Sequence, residues 1–145
     1  MTDLEPPRVR TEVDVMFFDT DCGGVVSNIS YLRFIEIART KLAEKLGLRL
    51  AEMSQTRRYP VVVRTEIDYR RAARLADRLI VEGWLDRVDR ARFWCAFRIV
   101  RAEDDTLIAE CRQMLALIEM PAGILLRLPS AWDKYCSPTT VDPVK

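Results

Sequence analysis

Two aspartates separated by one residue leave a run of alternating apolar residues, cross a pair of glycines and enter a helical pattern: Phe18-Asp19-Thr20-Asp21-Cys22-Gly23-Gly24-Val25-Val26-Ser27-Asn28-Ile29-Ser30-Tyr31. The opening turn of a helix carries free N–H groups and a partial positive charge. That combination can hold the oxyanion that forms when an acyl carbonyl is attacked. An aspartate in water is ionised at neutral pH, so one standing beside such a site can attack the carbonyl itself or take a proton from water. These parts suffice to hydrolyse a thioester.

The chain contains no histidine. Ser-His-Asp and Cys-His systems, which need an imidazole base, are therefore excluded, and so are the usual histidine-bearing catalytic zinc sites. Cys22 adjoins Asp21, but without an imidazole to activate it the thiol is a weak candidate nucleophile. The four cysteines, at 22, 95, 111 and 136, form no CxxC pair, so no metal site is predicted. Cys95 and Cys111 fall within predicted strands and are expected as buried thiols.

The elements that must position this segment follow from periodicity. Val9, Thr11, Val13, Val15 and Phe17 alternate with Arg8, Arg10, Glu12 and Asp14, which predicts a half-buried strand over Arg8 to Phe17. Ser27 or Asn28 is the expected N-cap of a helix running to about Leu46, with an apolar stripe of Tyr31, Phe34, Ile35, Ala38, Leu42 and Leu46. Gly47-Leu48 predicts a Schellman ending. Leu50 to Gln55 can add a short helical turn. Four more strands follow: Val61 to Arg70, Leu79 to Val88, Arg92 to Arg101, with a hairpin turn at Asp89-Arg90, and Thr106 to Glu119 after a turn at Asp104-Asp105. A closing helical turn is expected at Pro129 to Cys136. One long helix with five antiparallel strands is an α+β architecture.

At 145 residues the chain fits one domain. The expected division is a loose lead-in at 1–7, a single domain at 8–136 and a loose tail at 137–145. With 23 Lys+Arg against 22 Asp+Glu the net charge is +1, which argues against a nucleic-acid partner. No apolar run is long enough to span a bilayer, so no transmembrane segment is predicted. The first residues lack a signal-peptide pattern, which makes the cytoplasm the expected compartment.

The pattern Asp19-x-Asp21-x-x-Gly24-Val25-Val26, followed by Asn28-x-x-Tyr31 and Glu36-x-x-Arg39, resembles the 4-hydroxybenzoyl-CoA thioesterase-like family. The nearest branch is the acyl-CoA thioesterases associated with the Tol–Pal system. Glu66-Ile67-Asp68-Tyr69 and Ala72-Ala73-Arg74-Leu75-x-Asp77 also resemble that branch, and the likeness covers roughly residues 8 to 135. The resemblance implies a hotdog fold, an antiparallel five-stranded sheet wrapped around one long central helix. It implies a homo-oligomer, dimer or tetramer, with active sites at subunit boundaries, and an acyl-CoA substrate with no further cofactor. The family's catalytic aspartate falls on Asp21, its backbone oxyanion donor at or near Asn28, and Gly24, Val25 and Tyr31 around the substrate. Arg90 and Arg92 match a basic stretch that contacts CoA phosphates in some relatives.

This chain departs from the branch at Ser27-Asn28, where many members carry an aromatic residue and then histidine. Asn28 can donate a hydrogen bond but cannot shuttle protons. The expected function is acyl-CoA thioester hydrolysis to free acid and CoA, with Asp21 as nucleophile or general base. The alternative is a non-catalytic hotdog protein that binds an acyl thioester or scaffolds a complex. A hotdog hydratase, whose relatives rely on histidine, is the weakest reading. Acyl-chain preference, and CoA against acyl carrier protein, stay open at this stage.

Overall fold

The computed structural model describes residues 5–135; the expected C-terminal tail, Cys136 and most of the lead-in lie outside them. Pro7 is already tied to the sheet through its carbonyl, which accepts the Leu85 N–H at 3.2 Å. Five long strands form one antiparallel sheet: β1 (Arg8–Asp14), β2 (Arg58–Tyr69), β3 (Arg78–Val88), β4 (Arg92–Arg101) and β5 (Leu107–Glu119). Their spatial order is β1-β3-β4-β5-β2, and a two-residue strand β6 (Ile124–Leu125) pairs with β5. The long helix α1 (Asn28–Lys45) packs on β1, β3 and β4. This is the α+β architecture that the patterning predicts, in the hotdog arrangement that the resemblance implies.

The helix forms where local chemistry directs it. Ser27 is the N-cap, with extended backbone and a side-chain oxygen that accepts the Ser30 N–H at 3.4 Å. The C-terminal end is a Schellman motif. Leu48 N–H donates to the Ala43 carbonyl at 2.8 Å and Gly47 N–H to Glu44 at 3.2 Å, with Gly47 at φ +86°. Trp132, in a closing 3-10 turn over Ser130–Tyr135, donates its indole N–H to the Leu46 carbonyl at 3.0 Å, so a distant segment satisfies the helix end. Phe34, Ile35, Ala38 and Leu42 are fully buried, and each larger apolar side chain contributes about 1.5–3 kcal/mol.

The first strand is shorter than its alternation predicts. It ends at Asp14, and Phe17 does not continue the inward row of Val9, Thr11 and Val13; it is 81% exposed. The cause is local. The Asp19 carboxylate accepts the Met16 N–H at 2.9 Å, which bends the chain into a 3-10 turn at Phe17–Asp19 and swings the Phe17 ring outward. β2 stands at the edge of the sheet beside β5, and little of it is buried; a bulge between Val62 and Arg64 shifts its register.

Beneath α1 lies a buried polar bridge. Arg39 donates to the Gln113 side-chain oxygen at 2.7 Å, and the Gln113 amide donates to Thr65 Oγ1 at 3.2 Å. Glu36 stands 3.8 Å from the same guanidinium, on the solvent side. Burial pushes the neighbouring thiols of Cys95 and Cys111 up to about 12, against a smaller opposing pull from Arg39.

Candidate active site

The loop from Asp19 to Ser27 is held at both ends. Thr20 and Val26 form an antiparallel bridge, and the Ser27 N–H donates to the Asp19 carbonyl at 2.9 Å. The Val26 N–H donates to the Ala73 carbonyl at 2.8 Å, which fastens the loop to the segment after β2. Between those ties the chain reverses over Asp21 to Gly24, with the Gly24 N–H on the Asp21 carbonyl at 3.0 Å. Gly24 sits at φ +74°, a conformation that side chains disfavour. Val25 is half-buried and bridges to Arg74.

The two aspartates have different environments. Asp19 is fully buried, and its carboxylate takes the Met16 N–H on one oxygen and the Arg33 guanidinium on the other. Arg33 also lies over the rings of Phe18 and Phe34, at 5.3 and 5.1 Å. Asp21 is exposed. One of its carboxylate oxygens accepts the Gly23 N–H at 2.9 Å, and among the described residues no cation meets it. Such a carboxylate is oriented by one hydrogen bond and remains open to a substrate.

Four residues after that reversal the helix begins. Ser30 N–H is met by Ser27 Oγ and Tyr31 N–H by the Ser27 carbonyl, whereas the N–H groups of Asn28 and Ile29 have no protein acceptor among the described residues. A free N–H at a helix start is a donor that an anion can use. The Asn28 side chain is fixed from across the fold. The Tyr69 hydroxyl donates to its Oδ1, which leaves Nδ2 as the free donor. Burial, with smaller effects of Cys111 and Tyr31, raises the Tyr69 phenol above its usual range, so it keeps its proton at neutral pH.

Tyr31 is a wall and a brace. It is buried, its ring packs against Tyr69 at 5.3 Å between centroids, and its hydroxyl accepts the Ala73 N–H at 3.1 Å. Val26, Asn28, Tyr31, Tyr69, Arg70, Arg71 and Ala72 line a cleft of about 370 Å3 at the helix start. Tyr69, Arg33 and Arg71 carry no assignment from sequence reasoning. No local signal joins Tyr69 to Asn28, because they are 41 residues apart.

Arg90 and Arg92 are not brought to this place within one chain. The helix start sits at the end of the sheet where Tyr69 faces Ala109, while Arg92 faces Ala116 towards the other end. At a strand rise of about 3.3 Å per residue, that is a separation of roughly 20 Å along the strands. Arg90 shares a second cleft, of about 400 Å3, with Arg127, a residue the sequence did not single out; Arg92 is not among its lining residues.

With this geometry in place, comparison with known proteins is informative. Residues 15–136 match the family described as the thioesterase-like superfamily. The chain is 31% identical over 110 residues to the acyl-CoA thioester hydrolase YbgC of Escherichia coli O6:H1, covering 76% of this chain and 81% of that protein. It is 38% identical over 90 residues to the acyl-CoA thioesterase YbgC of Haemophilus influenzae, covering 61% of this chain and 66% of that one. Among solved structures it is similar to Slr0204, a 1,4-dihydroxy-2-naphthoyl-CoA thioesterase from Synechocystis, with a TM-score of 0.78 and 26% identity over 89% of this chain and 95% of that one. By the extent of these matches, the chain belongs to the thioesterase-like superfamily.

Proposed function

We propose that this chain hydrolyses acyl-CoA thioesters to a free acid and CoA, with Asp21 as the catalytic carboxylate. The observations that carry the reading are two: among the described residues the exposed Asp21 carboxylate meets no cation, and the Asn28 N–H that opens α1 a few residues later has no protein acceptor. The names of the curated relatives supply the thioester class. The carbonyl oxygen rests on the Asn28 amide, which stabilises the negative charge that develops when the carbon becomes tetrahedral.

Two routes use the same carboxylate. As a nucleophile, an Asp21 oxygen bonds to the acyl carbon, the C–S bond breaks with its electrons going to CoA thiolate, and water then cleaves the resulting anhydride. As a general base, Asp21 takes a proton from water while the hydroxide oxygen bonds to the carbon and CoA departs, taking up a proton. Neither route calls on a metal, a redox cofactor or an imidazole. Gly24 and Val25 shape the loop beside the acyl group, and Tyr31 forms a wall of the adjoining cleft.

We further propose a homo-oligomer in which the open edge of β2 meets a second copy. Val62 and Val63 on that strand are 40% and 50% exposed, and an unpaired strand edge is a template for pairing. Antiparallel pairing of two β2 edges sets the hairpin end of one protomer beside the helix start of the other. Arg90, with Arg127, then lies within reach of the phosphates of a CoA whose thioester sits at Asp21 of the partner. Arg92 keeps a weaker place in the same role.

The deciding experiment is a thiol-release assay over a panel of acyl-CoA esters, run on the chain and on Asp21→Asn. Turnover that depends on Asp21 supports the reading. Tight acyl-CoA binding with no thiol release would instead favour a non-catalytic acyl-thioester-binding protein.

A further inference from the structure

Among the described residues, the cleft at the start of α1 includes an arginine that no carboxylate meets. Arg70 and Arg71 follow one another where β2 ends, and both backbone N–H groups donate to the Ile108 carbonyl, at 2.8 and 3.1 Å, which fixes the turn that presents them. Their charges have different fates. Arg70 is neutralised by Glu110 at 3.1 Å, with Asp68 at 3.9 Å. The Arg71 guanidinium meets no carboxylate among the described residues; its Nη1 donates to the Arg70 carbonyl at 3.3 Å. The rest of the lining is apolar or neutral: Val26, Ala72, the tilted ring pair of Tyr31 and Tyr69, and the free amide nitrogen of Asn28. An arginine without a carboxylate partner, in a cleft whose other walls are aromatic and neutral, is a site for a carboxylate on a short organic chain.

Size decides which part of a thioester can supply that anion. Arg71 and Asn28 line the same cleft of about 370 Å3, so a group bound to Arg71 shares that cleft with a carbonyl resting on Asn28. The pantetheine arm puts more than a dozen bonds between the thioester sulfur and the first phosphate of CoA. A dicarboxylic acyl chain puts its second carboxylate only a few carbons from the thioester. We propose that Arg71, with the side-chain Nδ2 of Asn28 and with Tyr69 as a wall, forms an acyl-side anion pocket that selects short acyl groups ending in a carboxylate. This rests on the thioesterase reading of Asp21 and Asn28 and adds a substrate class to it.

The test compares glutaryl-CoA with hexanoyl-CoA, of similar acyl length, on the chain, Arg71→Gln and Arg71→Lys. The expected result is a preference for glutaryl-CoA in kcat/KM. Arg71→Gln should lower that value about tenfold for glutaryl-CoA, mainly through KM, and leave hexanoyl-CoA within about twofold. Arg71→Lys should retain part of the preference. An unchanged ratio in Arg71→Gln overturns the proposal. So does a loss on hexanoyl-CoA that is absent with the N-acetylcysteamine thioester of hexanoate, since that pattern assigns Arg71 to the phosphates of CoA. Calorimetric binding of non-hydrolysable thioether analogues of both esters keeps the two readings separable. If the chain releases no thiol from any ester, the thioesterase reading fails, while the effect of Arg71→Gln on the two affinities still decides the pocket.

Discussion

Asp19 and Asp21 stand with one residue between them and face opposite environments: Asp19 is fully buried against Arg33, while Asp21 is exposed and its carboxylate accepts the Gly23 N–H. The pair divides the work of the loop. Asp19 organises it, through Met16 and Arg33 with its carboxylate and through Ser27 with its backbone. That organisation leaves Asp21 at the start of the reversal with its carboxylate exposed to solvent.

Opposite responses to substitution follow from this division. Asp21→Asn keeps an oxygen for the Gly23 N–H and touches no buried group, so stability should stay within about 0.5 kcal/mol while turnover falls at least a hundredfold. Asp19→Ala strands the Met16 N–H and removes the Arg33 partner. Arg33 is 42% exposed and can turn to water, so the cost should be about 2 kcal/mol rather than that of a fully trapped charge. Urea unfolding and steady-state kinetics on both variants check the contrast; equal destabilisation by the two would contradict it.

Alkaline pH should weaken the fold through two thiols. Cys95 and Cys111 are raised to about 12 by burial, whereas a thiol in the unfolded chain titrates at about 8.5–9. A group whose folded value is raised contributes its stability fully below the unfolded value and loses it as pH rises towards the folded one. The urea midpoint should therefore fall between pH 9 and about 12, and less steeply in Cys95→Ala. At pH 8 iodoacetamide should leave both residues unlabelled in the native protein and label exposed Cys22. Site-resolved mass spectrometry reads this directly.

Gly83 is required by space rather than by backbone conformation. It pairs with Val9 and Phe97 on its two flanks, and a Cβ there would lie 2.9 Å from two atoms of the buried Phe97 ring. Gly83→Ala should cost about 1–3 kcal/mol as β3 and β4 readjust. An unchanged melting temperature would show that Phe97 can yield freely.

Gln113 serves Arg39 and Thr65 at once while almost wholly buried. Gln113→Ala should cost about 2–3 kcal/mol, because it leaves a largely buried guanidinium short of its acceptor. The loss should exceed that of Thr65→Ala, whose hydroxyl lies at the exposed end of the bridge. Chemical denaturation of both variants tests that order.

Much of this molecule could be read along the chain because the governing interactions are local. The Ser27 cap, the Schellman ending at Gly47-Leu48 and the inward row of Val9, Thr11 and Val13 each depend on residues a few positions apart. The motif from Asp21 to Asn28 is likewise local in sequence, and its resemblance names the family to which the chain belongs. The outward turn of Phe17 escaped because periodicity carries no information about an aspartate capping the backbone three residues earlier.

What the tertiary structure decided depends on residues that folding alone brings together. Tyr69 reaches Asn28 across 41 positions, Gln113 reaches Arg39 across 74, and Trp132 closes the helix end at Leu46 across 86. Which arginine of the cleft is neutralised among the described residues is settled by whether an acid on another strand falls opposite it, as Glu110 does for Arg70. Composition and spacing place charges on a chain. Only the packing of sheet against helix determines which of them are paired, buried or exposed to a substrate, because electrostatic strength depends on distance and solvent access that folding creates.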